Sequence, residues 1–489
     1  MMASVLPLVG YLLLTLLLAV WVQRRARLGV SQNIVEEYFI GGRSMGGFVL
    51  AMTIIASYTS ASSFIGGPGV AYSLGLAWVL LAMIQVPTTF LTLGVLGKRF
   101  AFIGRRLGAV TITDFLYARY KSDVVVILCS TALLVFFAAS MVAQFIGGAR
   151  LFQAVTGYPY EVGLILFGVT VVVYTAVGGF RAVVLTDALQ GVVMVVASVV
   201  VFMAVLEAGG GMEQSIQTLK AIDPGLITPS GAGGQVPAPM LFSFWVLVGL
   251  GILGLPQTTQ RCFGYKDSKS MHSAMIMGTL IIGFLLLFMH LAGVLGRAVM
   301  PGLKSGDLII PSLILELLPP FWAGVFVAGP LAAIMSTVDT MLLLVSAAII
   351  KDLYIRYNLK NDASKISPRK LSRMSFGCTL AAGVLVFAAS FNPPELLVWI
   401  NLFAFGGLEA VFLWPIILGL YWKKANAAGA VLSMLTGLTV FIFISVFKVP
   451  LGGVHAIVPT LAFSLAAFIA GTRFGDPVSP EIRRLFWGE

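Results

Sequence analysis

The feature that most constrains this chain is a succession of apolar runs of about 20 residues, each closed off by Gly, Pro or a short cluster of charge. A helix rises about 1.5 Å per residue, so a run of that length crosses the ~30 Å hydrocarbon core of a bilayer. Thirteen such spans are predicted, near residues 4–23, 45–66, 74–97, 124–149, 160–180, 182–207, 240–261, 272–298, 322–350, 371–391, 395–421, 427–448 and 453–472. Only 10% of the residues are charged, against about 25% in soluble domains. A water-soluble multidomain enzyme is excluded. Cys129, Cys262 and Cys378 are scattered and odd in number, and they offer neither a disulfide framework nor a metal spacing.

Net charge is +11, which invites a nucleic-acid reading until the basic residues are placed. With the N-terminus outside and thirteen spans, 26 of the 31 Lys and Arg collect on the cytoplasmic side, including Arg24, Arg25, Arg27, Arg181 and Arg261. Arg150, Lys220, Arg297, Lys304 and Lys448 remain outside. That asymmetry is the positive-inside rule of an inner-membrane protein with a cytoplasmic C-terminus. Span 1 ends in arginines without a small-residue cleavage site, so it reads as a retained helix. The external loop 208–239 carries a short helix around Glu213 to Ala221, and the internal loop Lys351 to Arg373 reads as a solvated basic segment beside anionic lipid.

Two spans are interrupted. Span 2 contains Ala56-Ser57-Tyr58-Thr59-Ser60-Ala61-Ser62-Ser63 and then Gly66-Gly67-Pro68-Gly69; span 7 contains Gly249, Gly251, Gly254 and Pro256-Gln257-Thr258-Thr259. Unpaired backbone cannot face lipid, so such breaks belong beside a cavity or inside the bundle. The two lie five spans apart and cross the membrane in opposite directions, the pattern of inverted repeats that build a midplane site. The division that follows is a peripheral first helix (1–30), a first repeat of spans 2–6 (31–207), an external loop with a second repeat of spans 7–11 (208–421), and two peripheral helices with a short tail (422–489). The expected fold is thus an all-α integral membrane protein with a five-plus-five core.

Sodium needs several oxygen ligands, which carbonyls freed by unwinding can supply without a buried full charge. Ala56 and Thr59 are candidates for those carbonyls. In span 9, Ala333, Ser336, Thr337 and Thr340 follow i, i+3, i+4, i+7 spacing, so hydroxyls share one face of an otherwise apolar helix. Asp339 in span 9 and Asp187 in span 6 are intramembrane acids and therefore functional candidates. Glu409 in span 11 is as readily a structural hydrogen-bonding group. His272, His290 and His455 have no ligand partner at useful spacing and read as packing residues. No nucleotide-binding loop occurs, so neither ATP-driven transport nor an enzymatic role is expected, and no organic cofactor is implied.

Several stretches carry a resemblance. ASSFIGGPG at 61–69, WVLLAMIQ at 78–85, QFIGGARL at 144–151, YKDSK at 265–269, MHLAGVLGRAV at 289–299, AAIMST at 332–337, IIKDLY at 349–354 and NLFAFGGLEAVFLWP at 401–415 are similar to the sodium/solute symporter family, nearly end to end. The resemblance implies alternating access driven by sodium, with the ion on the Ala56, Thr59 and Ala333 carbonyls and the Ser336 and Thr337 hydroxyls. It places Asp187 on a sodium exit path or in a second sodium site, which would also draw on Asp339 and Thr340. Within the family the chain is most similar to the bacterial pantothenate-carrying branch, so the implied cargo is pantothenate.

By the same resemblance Tyr58, Ser60, Ser63 and Gln85 face the cargo; Gln144 and Gln257 are added for their membrane depth. No Arg or Lys is read at the midplane, so the cargo carboxylate is expected to meet freed N–H groups at a half-helix N-terminus. Another small carboxylate or amino acid as cargo, coupling to protons, and a non-transporting sensor are the alternatives; membrane lipid is the expected surrounding, with no nucleic acid and no obligate protein partner.

Overall fold

The computed structural model describes residues 2–26, 40, 43–360, 362, 365–393 and 396–488. Arg27 lies outside the described residues, as do the side chains of Arg24, Arg25 and Arg181. Among the described residues the chain is helical, and the one β-type contact is an isolated parallel bridge between Met45 and Tyr265. That bridge ties the start of span 2 to the end of span 7.

Among the described residues nine helices are long and apolar enough to cross a membrane, or eleven when each of two bent pairs is taken as one span. Ala3–Leu18 and Tyr160–Val173 are shorter apolar helices. The bent pairs fall where the sequence places its breaks: Gly47–Tyr58 with Ser62–Leu74, bent by 70°, and Ala238–Gly254 with Pro256–Phe263, bent by 45°. Between spans 5 and 6 the structure departs from expectation. The backbone is helical without interruption over Tyr160–Ala208, about 74 Å at 1.5 Å per residue, where hydropathy predicts a turn near residue 181. The apolar windows within it are nonetheless two, Tyr160–Val173 and Val183–Ala208.

Burial sorts the helices into a core and a rim. Within Pro320–Asn358 89% of the apolar window is buried, against 28% in Arg369–Ala389 and 33% in both Ala427–Val446 and Ile457–Phe474. Span 9 is thus the central post, and the last three of these face lipid, which solvates their side chains as well as protein does. Helices that begin at the water face are capped by side chains: Thr111 accepts from the Asp114 N–H at 3.0 Å, Asp267 from Ser270 at 2.8 Å, and Asn426 from Gly429 at 3.0 Å. Each cap satisfies an N–H that the helix itself cannot. In the external loop the helix Gly211–Ile222 lies where the sequence suggests one.

The internal basic loop is a correction. The span 9 helix continues to Asn358, and Lys351 and Arg356 are buried there, at 3.1 and 3.0 Å from the Asp114 carboxylate. Arg356 also lies 4.0 Å over the Tyr117 ring. These two cations anchor the C-terminal end of the central post to Asp114 instead of meeting lipid headgroups.

Helix approach depends on glycine at a few points. A Cβ on Gly293 of the helix Ser268–Val299 would stand 2.3 Å from the Pro68 carbonyl, backbone that cannot yield. Gly293→Ala should therefore lower stability by about 1–3 kcal/mol, seen as a lower midpoint of thermal unfolding in detergent. Gly377→Ala, with nothing within 4 Å, should leave the midpoint unchanged or raise it.

Candidate cation and solute site

Unwinding begins at Thr59, whose backbone is extended (φ −73°, ψ 133°). Every polar group freed there has a partner to find, because lipid offers none. The Ser336 hydroxyl donates to the Ala56 carbonyl at 2.8 Å and to Ala333 at 3.2 Å. The Thr337 hydroxyl donates to Thr59 at 2.8 Å and to Ala333 at 2.9 Å. The structure thus gathers all five predicted oxygens into one buried cluster between the broken span and the central post. On the other side of the break Gln144 accepts from the Ala61 N–H at 2.8 Å and donates to Ser140 at 3.4 Å. Gln144 thus bridges the break and is not among the residues that line the cavity above it.

A second polar cluster lies on the N-terminal side of the break, at Thr53 and Ser57, and it holds an unforeseen cation. Arg261, fully buried, donates through Nη2 to Asp187 at 3.1 Å, to Ser57 at 2.8 Å and to Thr340 at 2.8 Å. Its Nε also reaches Ser57 at 3.1 Å, and Thr53 donates to Asp187 at 2.8 Å. Asp339 accepts from Thr175. Counting by loops assigns Arg261 to the cytoplasmic face, whereas in the structure it follows the break on the 3₁₀ turn Gln260–Phe263 and is buried inside the bundle. Gln257 sits on this side too, in a small cavity with Gln260, Arg261 and Thr340, away from the cargo cavity where the sequence placed it.

Above the break is a cavity lined by Tyr58, Ser60, Ser63 and Gln85, as expected, together with Ser62, Trp78, His290, Asn401 and Phe405. Tyr58 donates to Gln85 Oε1 at 2.7 Å, and its ring stacks near Phe405, with centroids 6.5 Å apart. Asn401 Oδ1 accepts from Ser140 at 2.5 Å, which leaves its amide N–H groups as donors. Trp78 Nε1 and Ser62 Oγ are buried and without a partner among the described residues.

His290 changes role here. Its Nδ1 is 2.7 Å from the Leu286 carbonyl; a carbonyl only accepts, so Nδ1 carries the proton and Nε2 is left as an acceptor. Nε2 stands against Gly67, where a Cβ would come within 2.3 Å. Sequence reading dismissed His290 as packing for lack of metal spacing. The usable signal was Gly293 on the same helix, whose missing side chain lets span 8 touch the broken span at Pro68.

A further ion pair lies toward the opposite end of the bundle. Asp307 pairs with Arg150 and accepts from the Leu397 N–H at 3.1 Å, and Gly69 and Gly306 meet backbone to backbone. Arg150, read as an external loop residue, is mostly buried.

A helical membrane bundle with two broken spans, a buried oxygen cluster at one break and a polar cavity above it is the architecture of an ion-coupled secondary transporter. The sequence profile of the sodium:solute symporter family matches residues 38–437, and the chain belongs to that family. It is 52% identical over 97% of its length, and 97% of the relative, to the sodium/pantothenate symporter of Escherichia coli K12. Against the sodium/pantothenate symporter of Haemophilus influenzae the identity is 48%, over 96% of each chain. A solved sodium-coupled sialic acid symporter in a substrate-bound outward-open state superposes with a TM-score of 0.79 at 20% identity, covering 98% of this chain and 99% of that one, and so shares the fold.

Removing one member of a buried ion pair strands the other charge, at about 3–5 kcal/mol. Arg261→Gln should therefore destabilise the purified protein strongly in thermal unfolding. Asp187→Asn combined with Arg261→Gln should recover most of the loss, and a double variant no better than the single would rule out the pairing.

Proposed function

We propose that this chain is a symporter that brings pantothenate into the cell with sodium by alternating access across the cytoplasmic membrane. The observation that carries the coupling is the five-oxygen cluster of Ala56, Thr59, Ala333, Ser336 and Thr337 at the broken span. Hydroxyl protons that now point at carbonyls can swing away, which turns the hydroxyl lone pairs toward a cation held also by the three carbonyls. No full negative charge is buried at the cluster, so loading sodium costs the ion its water without requiring a compensating proton. The choice of cargo rests on the two relatives with roughly half the residues identical, whose names specify pantothenate.

Pantothenate has one carboxylate, one amide and two hydroxyls on an apolar frame, and the cavity supplies matching chemistry. Asn401, Trp78 and Ser62 are the donors for the carboxylate, beside the N-terminal turn of the half-helix at Ser62–Gly66, whose dipole favours an anion. His290 Nε2 accepts from a cargo hydroxyl or amide N–H. Phe405 and Leu402 face the apolar frame.

The two halves, 31–207 and 208–421, act as inverted repeats, each opening on a broken span. The N-terminus is external and the C-terminus cytoplasmic, in line with the basic asymmetry. Asp187 and Thr340 are engaged by a guanidinium in the conformation at hand. They belong, with Asp339, to the sodium exit path on the cytoplasmic side: Arg261 holds the place of a leaving ion and must release it for the path to open.

Labelled pantothenate uptake in proteoliposomes tests the reading. Accumulation is expected under an inward sodium gradient and not under a proton gradient with sodium absent; the reverse result would contradict the coupling, and competition only by a different acid would change the cargo. Ser336→Ala and Thr337→Ala should each raise the half-saturating sodium concentration about tenfold, the equivalent of about 1.4 kcal/mol. Thr218→Ala in the external loop should leave it unchanged.

A further inference from the structure

We propose that Glu409 is a proton-binding site that must be loaded before span 7 can pack against span 11. Glu409 lies in the middle of the helix Val398–Tyr421 and is fully buried. Both carboxyl oxygens are without a hydrogen-bond partner among the described residues. The group presses on Gly251, where a Cβ would fall 2.2 Å from Oε2, and one turn on Gly254 meets the Leu413 backbone. The short turn Gly251–Gly254, just before the break at Leu255, is therefore shaped to receive this carboxyl and the helix that carries it.

An ionised carboxylate in such surroundings lacks every form of compensation that buried charge requires. Among the described residues no ion pair reaches it. The helices packed against it bring little else. Ala427–Val446 has no ionisable residue, and Ile457–Phe474 has only Arg473 at its end. Asp123 and Arg150 lie toward the two ends of Asp123–Thr156, with Cys129 between them. Arg119 and Tyr120 engage Gly419 and Pro415, more than a turn nearer the cytoplasm. Sodium is an unsuitable occupant, because Gly251, Gly254 and Leu413 supply no hydroxyls, whereas Asp187 has Thr53, Ser57 and Thr340 around it. A proton needs only the carboxyl itself.

Placement gives the proton a consequence. Leu402 and Phe405 line the cargo cavity, and Glu409 follows on the same helical face. The proton comes from cavity water and returns to it when span 7 moves off and the carboxyl is wetted. On the inverted-repeat reading above, Glu409 in span 11 also stands to the break in span 7 as Asp187 in span 6 stands to the break in span 2. One acid is neutralised by Arg261 and the other by a proton, so closure of the second half becomes sensitive to pH.

The test combines uptake with infrared spectroscopy. Only its uptake arm rests on the proposed cargo. At a fixed sodium gradient with equal pH on both sides, wild-type pantothenate uptake should fall about tenfold per pH unit along its alkaline limb, as the protonated fraction does. Glu409→Gln, an analogue of the neutral form, should transport at the acid-plateau rate and stay level across that range. A variant that keeps the wild-type fall, or one still stabilised by sodium yet unable to transport, overturns the proposal. The wild-type protein at neutral pH should also show the infrared carbonyl band of a neutral carboxylic acid that Glu409→Gln lacks; no such difference overturns it independently. Absent wild-type uptake would count against the cargo and leave the infrared result standing.

Discussion

Everything in this fold depends on what happens to the backbone at Thr59, where a membrane helix stops being a helix in the middle of the bundle. In lipid an unpaired carbonyl costs several kcal/mol, so the break exists only because span 9 offers Ser336 and Thr337 to the freed carbonyls and span 4 offers Gln144 to the freed N–H. The same contacts explain why the central post is the most buried span. On the proposed reading, sodium in place of the hydroxyl protons would keep each carbonyl engaged, so that a structural necessity would also serve as a binding site.

Charge is arranged by a second rule: cations that look peripheral in the sequence are drawn in to close the ends of the transport path. Arg261 is bonded to Asp187, Ser57 and Thr340 on one side of the break, and Arg150 is paired with Asp307 toward the other end of the bundle. Lys351 and Arg356 fix the foot of span 9 through Asp114. Each of these can be broken and remade, unlike the packed apolar contacts around them. Opening one end while keeping the other is then an exchange of partners for an arginine, set by which side the ion and cargo favour.

Much of this was legible in the residues. Hydropathy located the spans, and Gly, Ser and Pro inside spans 2 and 7 located both breaks, because those residues loosen a helix wherever they fall. Hydroxyls at one-face spacing in span 9 pointed to the cation cluster, since periodicity on a helix determines direction. What could not be read was depth along a loop and contact across the bundle. Arg261 counts as a loop residue until a 3₁₀ turn returns it inward, and His290 joins the cavity only because Gly67 and Gly293 let two helices touch. Gln144 was placed at the right depth and given the wrong partner: its amide matches a broken backbone as well as it matches a cargo.

The central claim is that sodium binds at the break through five oxygens. Thermal unfolding of the purified protein, titrated with sodium chloride against choline chloride at constant ionic strength, measures it without any cargo. A ligand that binds only the folded state raises stability by RT ln(1 + [L]/Kd), so the midpoint should climb with the logarithm of sodium for the wild type and stay level when both Ser336 and Thr337 are alanine. Equal climbs in the two proteins, or the same climb with choline, would contradict the account.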